Sequence, residues 1–404
     1  MNFKALFKSL ILRKFATGLL VLQLTLTLSL IVNSGILALD ARDKLLQKTG
    51  MKQDNLLVVD FYPTAQAFAD RDFYLSVMKQ DIDAIKRLPG VINAAPANQT
   101  PVQYGGWGSN IHAANKPEQE QFDMELRYAS QFYGTEDLVE TLGVKLLEGR
   151  YLTNQDNLEG NLSDDRNILI TASLAKAMFG DQSAVGQQTA RGHVVGVIED
   201  FKVFINKPIN KQYVFFSNYT IAMSNRVNHY FIQVENGMMK QVQEKIKDII
   251  LKNHPERDVR SVSTFSSHME LMYGQDIGLA KLFGVLCLLM IFVTAISSFA
   301  YAQFHITKQK KFIGIRRALG ATRSDILLYV FSENWLLTAL GMLLGLIGVY
   351  AINILLAQSI AISKPEAGIY LLACLVIFVS GTIATWLPAW QTSRIPPVIA
   401  TKTV

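Results

Sequence analysis

Four separate stretches of this chain are apolar over a length that can cross a lipid bilayer. A hydrocarbon core of about 30 Å requires roughly 20 consecutive, mostly apolar residues in a helix. Windows of this kind occupy residues 15–38, 279–303, 326–356 and 368–387. Because backbone polar groups find no water inside a bilayer, such segments fold as helices. The sequence therefore predicts a membrane α-helical protein with four transmembrane helices.

The first window has to be distinguished from a secretory signal peptide, because Lys4, Lys8 and Lys14 precede it. A signal peptide has an apolar core of about 7–15 residues. Residues 15–38 stay apolar for longer than that. We therefore interpret this window as an uncleaved anchor.

The positive charges indicate how the helices are oriented. The connection 304–325 holds one acidic residue, Asp325, and several basic ones. The basic residues are Lys308, Lys310, Lys311, Arg316, Arg317 and Arg323. Because lysine and arginine in short loops prefer the cytoplasmic side, residues 304–325 are predicted to be cytoplasmic. Four spans then place both termini in the cytoplasm, and residues 39–278 and the short loop 357–367 on the opposite side.

The distribution of charge also indicates which classes of partner the chain binds. Residues 39–278 carry 25 basic and 30 acidic side chains, so the overall formal charge of +6 comes from the flanks, beside the apolar windows. A basic excess in that position is an orientation signal rather than a ligand patch. We expect membrane lipid, and no nucleic acid, as a partner.

Residues 39–278 alternate between strand-like and helix-like patterns. Short β-rich runs lie at 55–62, 91–95, 167–171, 194–198 and 230–234. Apolar residues recur at helical spacing over 73–88, 172–179 and 239–253. These patterns predict a large α+β domain inserted between the first and second transmembrane helices. Residues 96–120, rich in Gly, Asn, Pro and Gln, are predicted to form an exposed loop.

No residue pattern in the chain predicts catalysis. Cys287 and Cys374 lie inside apolar windows, so residues 39–278 contain no disulfide. The histidines lack the paired spacing of metal ligands; they are His112, His193, His229, His254, His268 and His305. The signatures of serine hydrolases and of P-loop NTPases are both missing from the sequence. We predict no catalytic residue, no metal site and no cofactor bound by this chain.

One segment carries a specific resemblance. Residues 310–326 read KKFIGIRRALGATRSDI, which resembles the cytoplasmic signature of MacB- and FtsX-like permeases, the membrane subunits of type VII ABC transporters. Residues 88–91, 142–150 and 194–201 resemble the periplasmic core domain of that family. Residues 388–400 resemble its closing motif. The resemblance therefore covers nearly the whole chain, in the family's order of one span, outer domain and three spans.

The chain departs from the family pattern at three places. Phe312 stands where the family usually has glutamate, and Pro396 where it usually has aspartate or asparagine. The closing Ala-Leu-Arg of relatives is here Ala400-Thr401-Lys402. The salt bridge that the glutamate would make is therefore not expected in this chain.

The resemblance implies a dimer in the bacterial inner membrane, formed with a second permease copy or a paralogue. It implies a cytoplasmic ATPase subunit that binds ATP and magnesium, and motion transmitted through the spans to a MacB-like periplasmic domain. With a periplasmic adaptor and an outer-membrane channel, such a permease exports a peptide, an antibiotic or a similar compound. The alternative is an FtsX-like subunit that regulates an external partner such as a cell-wall hydrolase. The large outer domain favours export.

The resemblance also selects candidate ATPase-coupling residues. These are Lys310, Lys311, Phe312, Gly314, Ile315, Arg316, Arg317, Ala318, Leu319 and Gly320. As a helix, this segment would place an apolar stripe beside a charged one, which suits a groove on an ATPase. The residues alone leave a second interpretation open, a basic helix that lies on anionic lipid.

The third window adds polar and packing candidates. Glu333 lies about two turns inside it, where an ionisable side chain is costly and faces protein or water. Three interpretations of Glu333 are open: a role in coupling, a hydrogen-bonded packing contact, or a protonated side chain near the interface. Gly341, Gly345 and Gly348 form a face of small residues suited to close helix packing, against either a neighbouring span or another subunit.

The two ends of the chain complete the predicted organisation. Residues 1–14 are predicted to form a cytoplasmic amphipathic segment at the membrane surface, or a simple topogenic flank. Its apolar face would hold Phe3, Leu6, Phe7, Leu10 and Ile11. Residues 388–404 are predicted to form a cytoplasmic tail.

Overall fold

The computed structural model describes residues 14–114, 129–156, 166–218, 228–357 and 367–394. They divide into a helical unit, Met1–Leu46 with Tyr273–Val404, and an α+β domain, Gln47–Met272. Nearly all of the predicted segment 1–14, most of the loop 357–367 and the tail beyond residue 394 lie outside the described residues.

The secondary structure alternates within the domain and is helical on both sides of it. The helices are α1 Lys14–Leu46, α2 Arg71–Lys86, α3 Leu138–Leu142, α4 Ala172–Phe179, α5 Met239–Asn253, α6 Phe265–Met272, α7 Gly274–Ala318, α8 Arg323–Ala357 and α9 Ala367–Ser393. The strands are β1 Leu56–Pro63, β2 Val91–Ala97, β3 Gly108–Ser109, β4 Ala129–Tyr133, β5 Leu146–Gly149, β6 Asn167–Thr171, β7 Gln188–Thr189, β8 Gly192–Ile198, β9 Val214–Ser217, β10 Asn228–Val234 and β11 Arg257–Thr264.

Among the described residues, α1, α7, α8 and α9 are long and apolar enough to cross a membrane. Helix α1 has 33 residues and α7 has 45, which correspond to about 50 Å and 67 Å at 1.5 Å per residue. Both exceed a hydrocarbon core of about 30 Å. Helix α7 also continues through most of the predicted connection 304–325, so only a short turn separates it from α8.

The four helices bury an apolar core and leave an apolar outer surface. The core is formed by Leu20, Leu24, Leu28, Val32, Ile36, Leu337, Val349, Ala373 and Ile377. Helices α1 and α9 each pack against both α7 and α8, whereas α7 and α8 contact each other much less. Outward-facing residues such as Leu288, Phe292 and Leu371 are exposed. An apolar exterior of this size suits contact with lipid.

The glycine face predicted on α8 packs within the chain. A Cβ atom built on Gly341 would lie 2.5 Å from Leu24 Cβ, and one on Gly345 would lie 2.7 Å from a Leu28 methyl group. The Ser29 hydroxyl donates to the Gly345 carbonyl at 3.4 Å. Glycine therefore allows α1 and α8 to approach closely, as small residues do between membrane helices.

Ion pairs connect the C-terminal end of α1 to the N-terminal end of α7. The Lys44 ammonium lies 2.8 Å from Asp40 of the same helix and 3.1 Å from Asp276 near the start of α7. At about 1.5 Å per residue, these residues lie more than 20 Å along their helices from the centre of the apolar window in each helix. The ion pairs therefore connect the two helices at the end that adjoins the α+β domain in sequence.

The α+β domain contains two sheets. The first is antiparallel, with strand order β11-β1-β10-β2. Helices α2 and α5 cover one face of it, and Val59, Ile85, Tyr230, Ile232 and Ile246 are buried there. The second sheet is mixed, with order β3-β4-β9-β6-β8-β5 and with β7 paired to β8. Its core includes Ile168, Ile170, Leu174, Val194 and Phe215.

The described part of residues 96–120 is exposed mainly around residues 104–108 and is otherwise largely buried or half-buried, unlike the exposed loop that composition predicts. Ala97, Gln99, Val102 and Ile111 are buried. The Gln99 amide donates to the Gln131 carbonyl at 2.9 Å and accepts from the Trp107 backbone at 2.7 Å. Because the polar side chain finds partners inside the domain, a segment of polar composition is buried here.

A charged group lies at the centre of the first sheet's core. Arg257 forms an ion pair with Asp81, and the two side chains are 1% and 0% exposed. The Tyr230 hydroxyl and the Asn253 amide each donate to Asp81 at 2.9 Å. This network links α2, β10, α5 and β11 around a fully satisfied carboxylate.

We predict that Asp81→Ala destabilises the α+β domain by about 3–5 kcal/mol, because Arg257 would keep a buried charge without its partner. The measurement is thermal unfolding of the purified full chain in detergent. Asp83→Asn is the matched control, since Asp83 is exposed on the same helix. An equal melting temperature for Asp81→Ala and the control would contradict the prediction.

Candidate functional site

The α7–α8 turn is built by local signals at both helix ends. Helix α7 ends with Gly320 at a positive φ of 97°, while Gly320 and Ala321 donate backward to the Arg317 and Arg316 carbonyls. This is the pairing of a Schellman motif, which glycine favours. Thr322 then caps α8, because its hydroxyl accepts from the Asp325 backbone N–H at 3.2 Å while the Thr322 backbone N–H donates to the Asp325 carboxylate at 2.9 Å, as in a capping box. The two helices therefore form a tight hairpin.

One face of the α7 end is buried in the helical unit. Ile306 packs with Val330 and Ala389, and Ile313 and Gly314 are also buried. Residues on this face hold α7 against its neighbours and are inaccessible to a partner.

The opposite face is exposed and apolar. Phe312, Ile315 and Leu319 are 48%, 43% and 82% exposed. Their spacing of three and four residues places them on one side of the helix. The exposed basic residues Lys310 and Lys311 adjoin them. We call Phe312, Ile315, Leu319 and these two lysines the coupling stripe.

The two arginines of the predicted site have different surroundings. The exposed Arg316 guanidinium lies over the rings of Phe312 at 4.9 Å and Tyr329 at 4.8 Å. Arg317 is half-buried and donates to the Ser393 carbonyl at 2.5 Å, at the end of α9. Cations suit the carbonyl end of a helix, so Arg317 caps α9 within the chain.

The structure therefore divides the predicted coupling residues. Those exposed at the turn are Lys310, Lys311, Phe312, Ile315, Arg316, Ala318, Leu319 and Gly320. Gly314 is buried and Arg317 points inward. Sequence periodicity predicts a stripe, but only the neighbouring helices determine which basic residues are left for a partner.

Glu333 is buried inside the helical unit and faces a histidine. Its Oε2 atom lies 2.6 Å from His305 Nε2, and the two side chains are 4% and 5% exposed. From the sequence, His305 is predicted only not to be a metal ligand. Distance along the chain from the α7–α8 turn could have predicted this contact. His305 precedes the turn by about as many residues as Glu333 follows it, so the two side chains lie at a similar height on the two helices.

The α+β domain has polar groups but no arrangement typical of an enzyme within the described residues. Ser261 donates to Asp60 at 2.9 Å, and His229 Nδ1 lies 2.5 Å from the same carboxylate. Burial opposes ionisation, but the hydrogen bond and charge of His229 hold the pKa of Asp60 below its usual value. The serine hydroxyl therefore contacts the carboxylate and not the imidazole, unlike a serine nucleophile activated by histidine.

The domain also contains a cavity of about 730 Å³. Its charged lining includes Lys48, Lys52, Lys145, Asp54, Glu140 and Glu199. The two signs balance, so the cavity has no net charge preference for a ligand. No group of three metal-ligating side chains occurs in the part of the chain that the structure describes.

Two family descriptions match this sequence. The MacB-like periplasmic core domain matches residues 17–249, and the FtsX-like permease C-terminal region matches residues 284–397. The chain belongs to the MacB/FtsX-like permease family. The expected architecture is thereby confirmed: a MacB/FtsX-like permease with four membrane-type helices and an α+β periplasmic core domain between the first and second.

Relatives of this MacB/FtsX-like permease are distant in sequence. The macrolide export ATP-binding/permease protein MacB of Wolinella succinogenes is 22% identical, and the match covers 98% of this chain and 60% of that protein. MacB of Escherichia coli K12 is 24% identical, over 85% of this chain and 51% of that one. The uncharacterized ABC transporter permease YknZ of Bacillus subtilis is 24% identical, over 64% and 66%. This chain thus spans about 60% or less of the length of the MacB proteins quoted.

A solved structure also matches the permease. The periplasmic region of MacB from Actinobacillus actinomycetemcomitans aligns with 57% of this chain and 97% of its own, at 16% identity and a TM-score of 0.37.

The structure shows what Phe312 contacts at the position where the resemblance leads to the expectation of a glutamate. The Phe312 ring lies under the Arg316 guanidinium. A cation–π contact therefore holds the arginine at this position.

We predict that the coupling stripe lies on the cytoplasmic side. A cysteine replacing Leu319 should react with a membrane-impermeant maleimide in inverted vesicles and not in intact spheroplasts, because only inverted vesicles expose the cytoplasmic face. Cys287 and Cys374 are first replaced by alanine. Gln182→Cys, exposed in the α+β domain, is the matched control and should show the reverse pattern. Labelling of both cysteines from the same side would refute the predicted orientation.

Proposed function

We propose that this permease transmits motion from a cytoplasmic ATPase to its periplasmic core domain and so drives export. The observation that supports the proposal is the continuity of helix α7. This single helix begins two residues after α6, the last helix of the core domain, and ends at the α7–α8 turn. A continuous helix resists bending and compression along its axis, because each residue is hydrogen-bonded to the next turn. Movement at the turn would therefore be carried along the whole length of α7.

The coupling stripe is the proposed contact with the ATPase. Its apolar residues are exposed at the C-terminal end of α7, beyond the apolar window 279–303. In the proposed orientation, lipid therefore does not cover them. Apolar anchors with basic neighbours suit a hydrophobic groove with an acidic rim. ATP and magnesium would be bound by that subunit. Membership in an ABC permease family supports the choice of partner.

The core domain supports export over regulation. Two sheets with separate cores occupy Gln47–Met272, which provides surface for an adaptor as well as for a substrate. The relatives named for macrolide export match over most of this chain. We propose a peptide, an antibiotic or a similar compound as the substrate. A second permease copy or a paralogue, a periplasmic adaptor and an outer-membrane channel would complete the assembly, with both termini of this chain in the cytoplasm.

We predict that Ile315→Asp with Leu319→Asp abolishes binding of the cytoplasmic ATPase subunit that the proposal requires, because two exposed anchors would become charged. The measurement is co-purification of the two proteins, followed by the ATP hydrolysis rate of the complex. Ser324→Asp adds a charge at an exposed position of the same turn and serves as the matched control. Undiminished co-purification of the double variant would argue against docking at the stripe.

The direction of function is tested in cells. We predict that deletion lowers the minimum inhibitory concentration of an exported compound several-fold, because the compound is then no longer removed from the cell. The double variant Ile315→Asp with Leu319→Asp should behave like the deletion, and Ser324→Asp like the wild type. A division or wall-lysis defect with unchanged sensitivity would instead support regulation of a wall hydrolase.

A further inference from the structure

The contacts between α7 and α8 concentrate near their turn. Arg316 of α7 lies over the ring of Tyr329 in α8, and the Tyr329 hydroxyl donates to Gln309 of α7 at 3.4 Å. One further step from the turn, His305 meets Glu333 at 2.6 Å. These side chains connect the two helices of the hairpin at successive heights.

Farther from the turn than the His305–Glu333 pair, α7 and α8 each contact α1. On α7, Thr294 shares a hydrogen bond with Thr27 at 2.8 Å. On α8, Gly341 receives Leu24. Helix α1 begins at Lys14, and Thr17 in its first turn contacts the Tyr301 hydroxyl at 3.3 Å. The pair therefore lies where α1 starts to separate α7 from α8, at the base of a fork.

A buried pair of ionisable side chains is an inefficient way to gain stability alone. Burying such groups costs free energy, and apolar residues of similar volume often pack such a site at equal or lower free energy. Ionisable side chains inside membrane segments are costly for the same reason. The 2.6 Å contact between His305 Nε2 and Glu333 Oε2 differs from an apolar contact in that it holds two specific atoms at one distance. It fixes the axial register of two helices, whereas apolar side chains permit sliding.

We propose that His305 and Glu333 are positioning residues that hold α7 and α8 in register at the base of the fork. This inference rests on the proposed function, since the load it addresses is the force of an ATPase on the turn. With the pair in place, a push on the turn moves both helices together. Without the pair, α7 and α8 slide or spread, and less of the movement reaches the core domain.

Two variants separate register from folding. His305→Leu with Glu333→Leu removes both polar side chains together and should leave the thermal stability of the full chain close to that of the wild type. His305→Glu with Glu333→His restores a histidine–glutamate contact with the partners exchanged. Thr27→Val with Thr294→Val, which removes a buried polar contact between α1 and α7, is the matched control.

The measurement is a pulsed electron paramagnetic resonance distance between spin labels at Leu288 of α7 and Ile347 of α8. Both positions are exposed, and Cys287 and Cys374 are first replaced by alanine. The permease is studied in lipid nanodiscs, alone and with its ATPase, with and without ATP and vanadate. The wild type, the exchanged pair and the threonine control should give a narrow distribution in every condition.

The apolar pair should broaden this distribution in the permease alone and shift it further with nucleotide, while ATP hydrolysis continues. A distribution as narrow as that of the wild type, with and without nucleotide, would overturn the inference. Failure of the exchanged pair to narrow the distribution, in a variant that melts like the wild type, would also overturn it. If the wild type does not bind the ATPase, the proposed function fails, and the measurement on the permease alone still decides whether the pair sets the register.

Discussion

The structure depends on one constraint, that polar groups inside a bilayer must find their partners within the protein. The helical unit meets this constraint at many of its polar side chains. Hydroxyls of Thr27, Thr338 and Thr385 donate to the carbonyl one turn earlier in their own helix. Other polar side chains contact a second helix, as Thr294 does with Thr27 and His305 does with Glu333. Because these partners come from specific helices, such contacts also determine which helices are neighbours.

The hairpin of α7 and α8 illustrates how one short motif serves two purposes. Ile313, Gly314 and Arg317 face the other helices and fix the hairpin to the bundle. Ile315 and Leu319 face away and remain exposed. Helical geometry separates these sets by direction, so a docking surface can change without loss of the packing beneath it. The family resemblance identifies the motif as a whole, and the structure assigns its residues to one purpose or the other.

Much of the fold was predictable from the sequence, because apolar length and periodicity report directly on helices and strands. The four membrane-type helices and the α+β domain follow from these patterns. Pairing was less predictable, since periodicity gives the buried face of an element and not its neighbour. His305 was therefore overlooked, and the burial of Gln99 could not be anticipated from its polar character. The continuation of α7 to Ala318 was obscured by its charges, which mark the membrane boundary rather than the helix end.

The network of Asp81 and Arg257 has a consequence for where the core domain can mature. It ties two helices and two strands together by charge and hydrogen bonds, and residues 39–278 contain no cysteine. Secreted domains often rely on disulfides for comparable cross-links. Here the cross-link forms as soon as the chain folds, so maturation needs neither an oxidant nor a thiol isomerase. The domain is thereby suited to envelopes whose redox state varies.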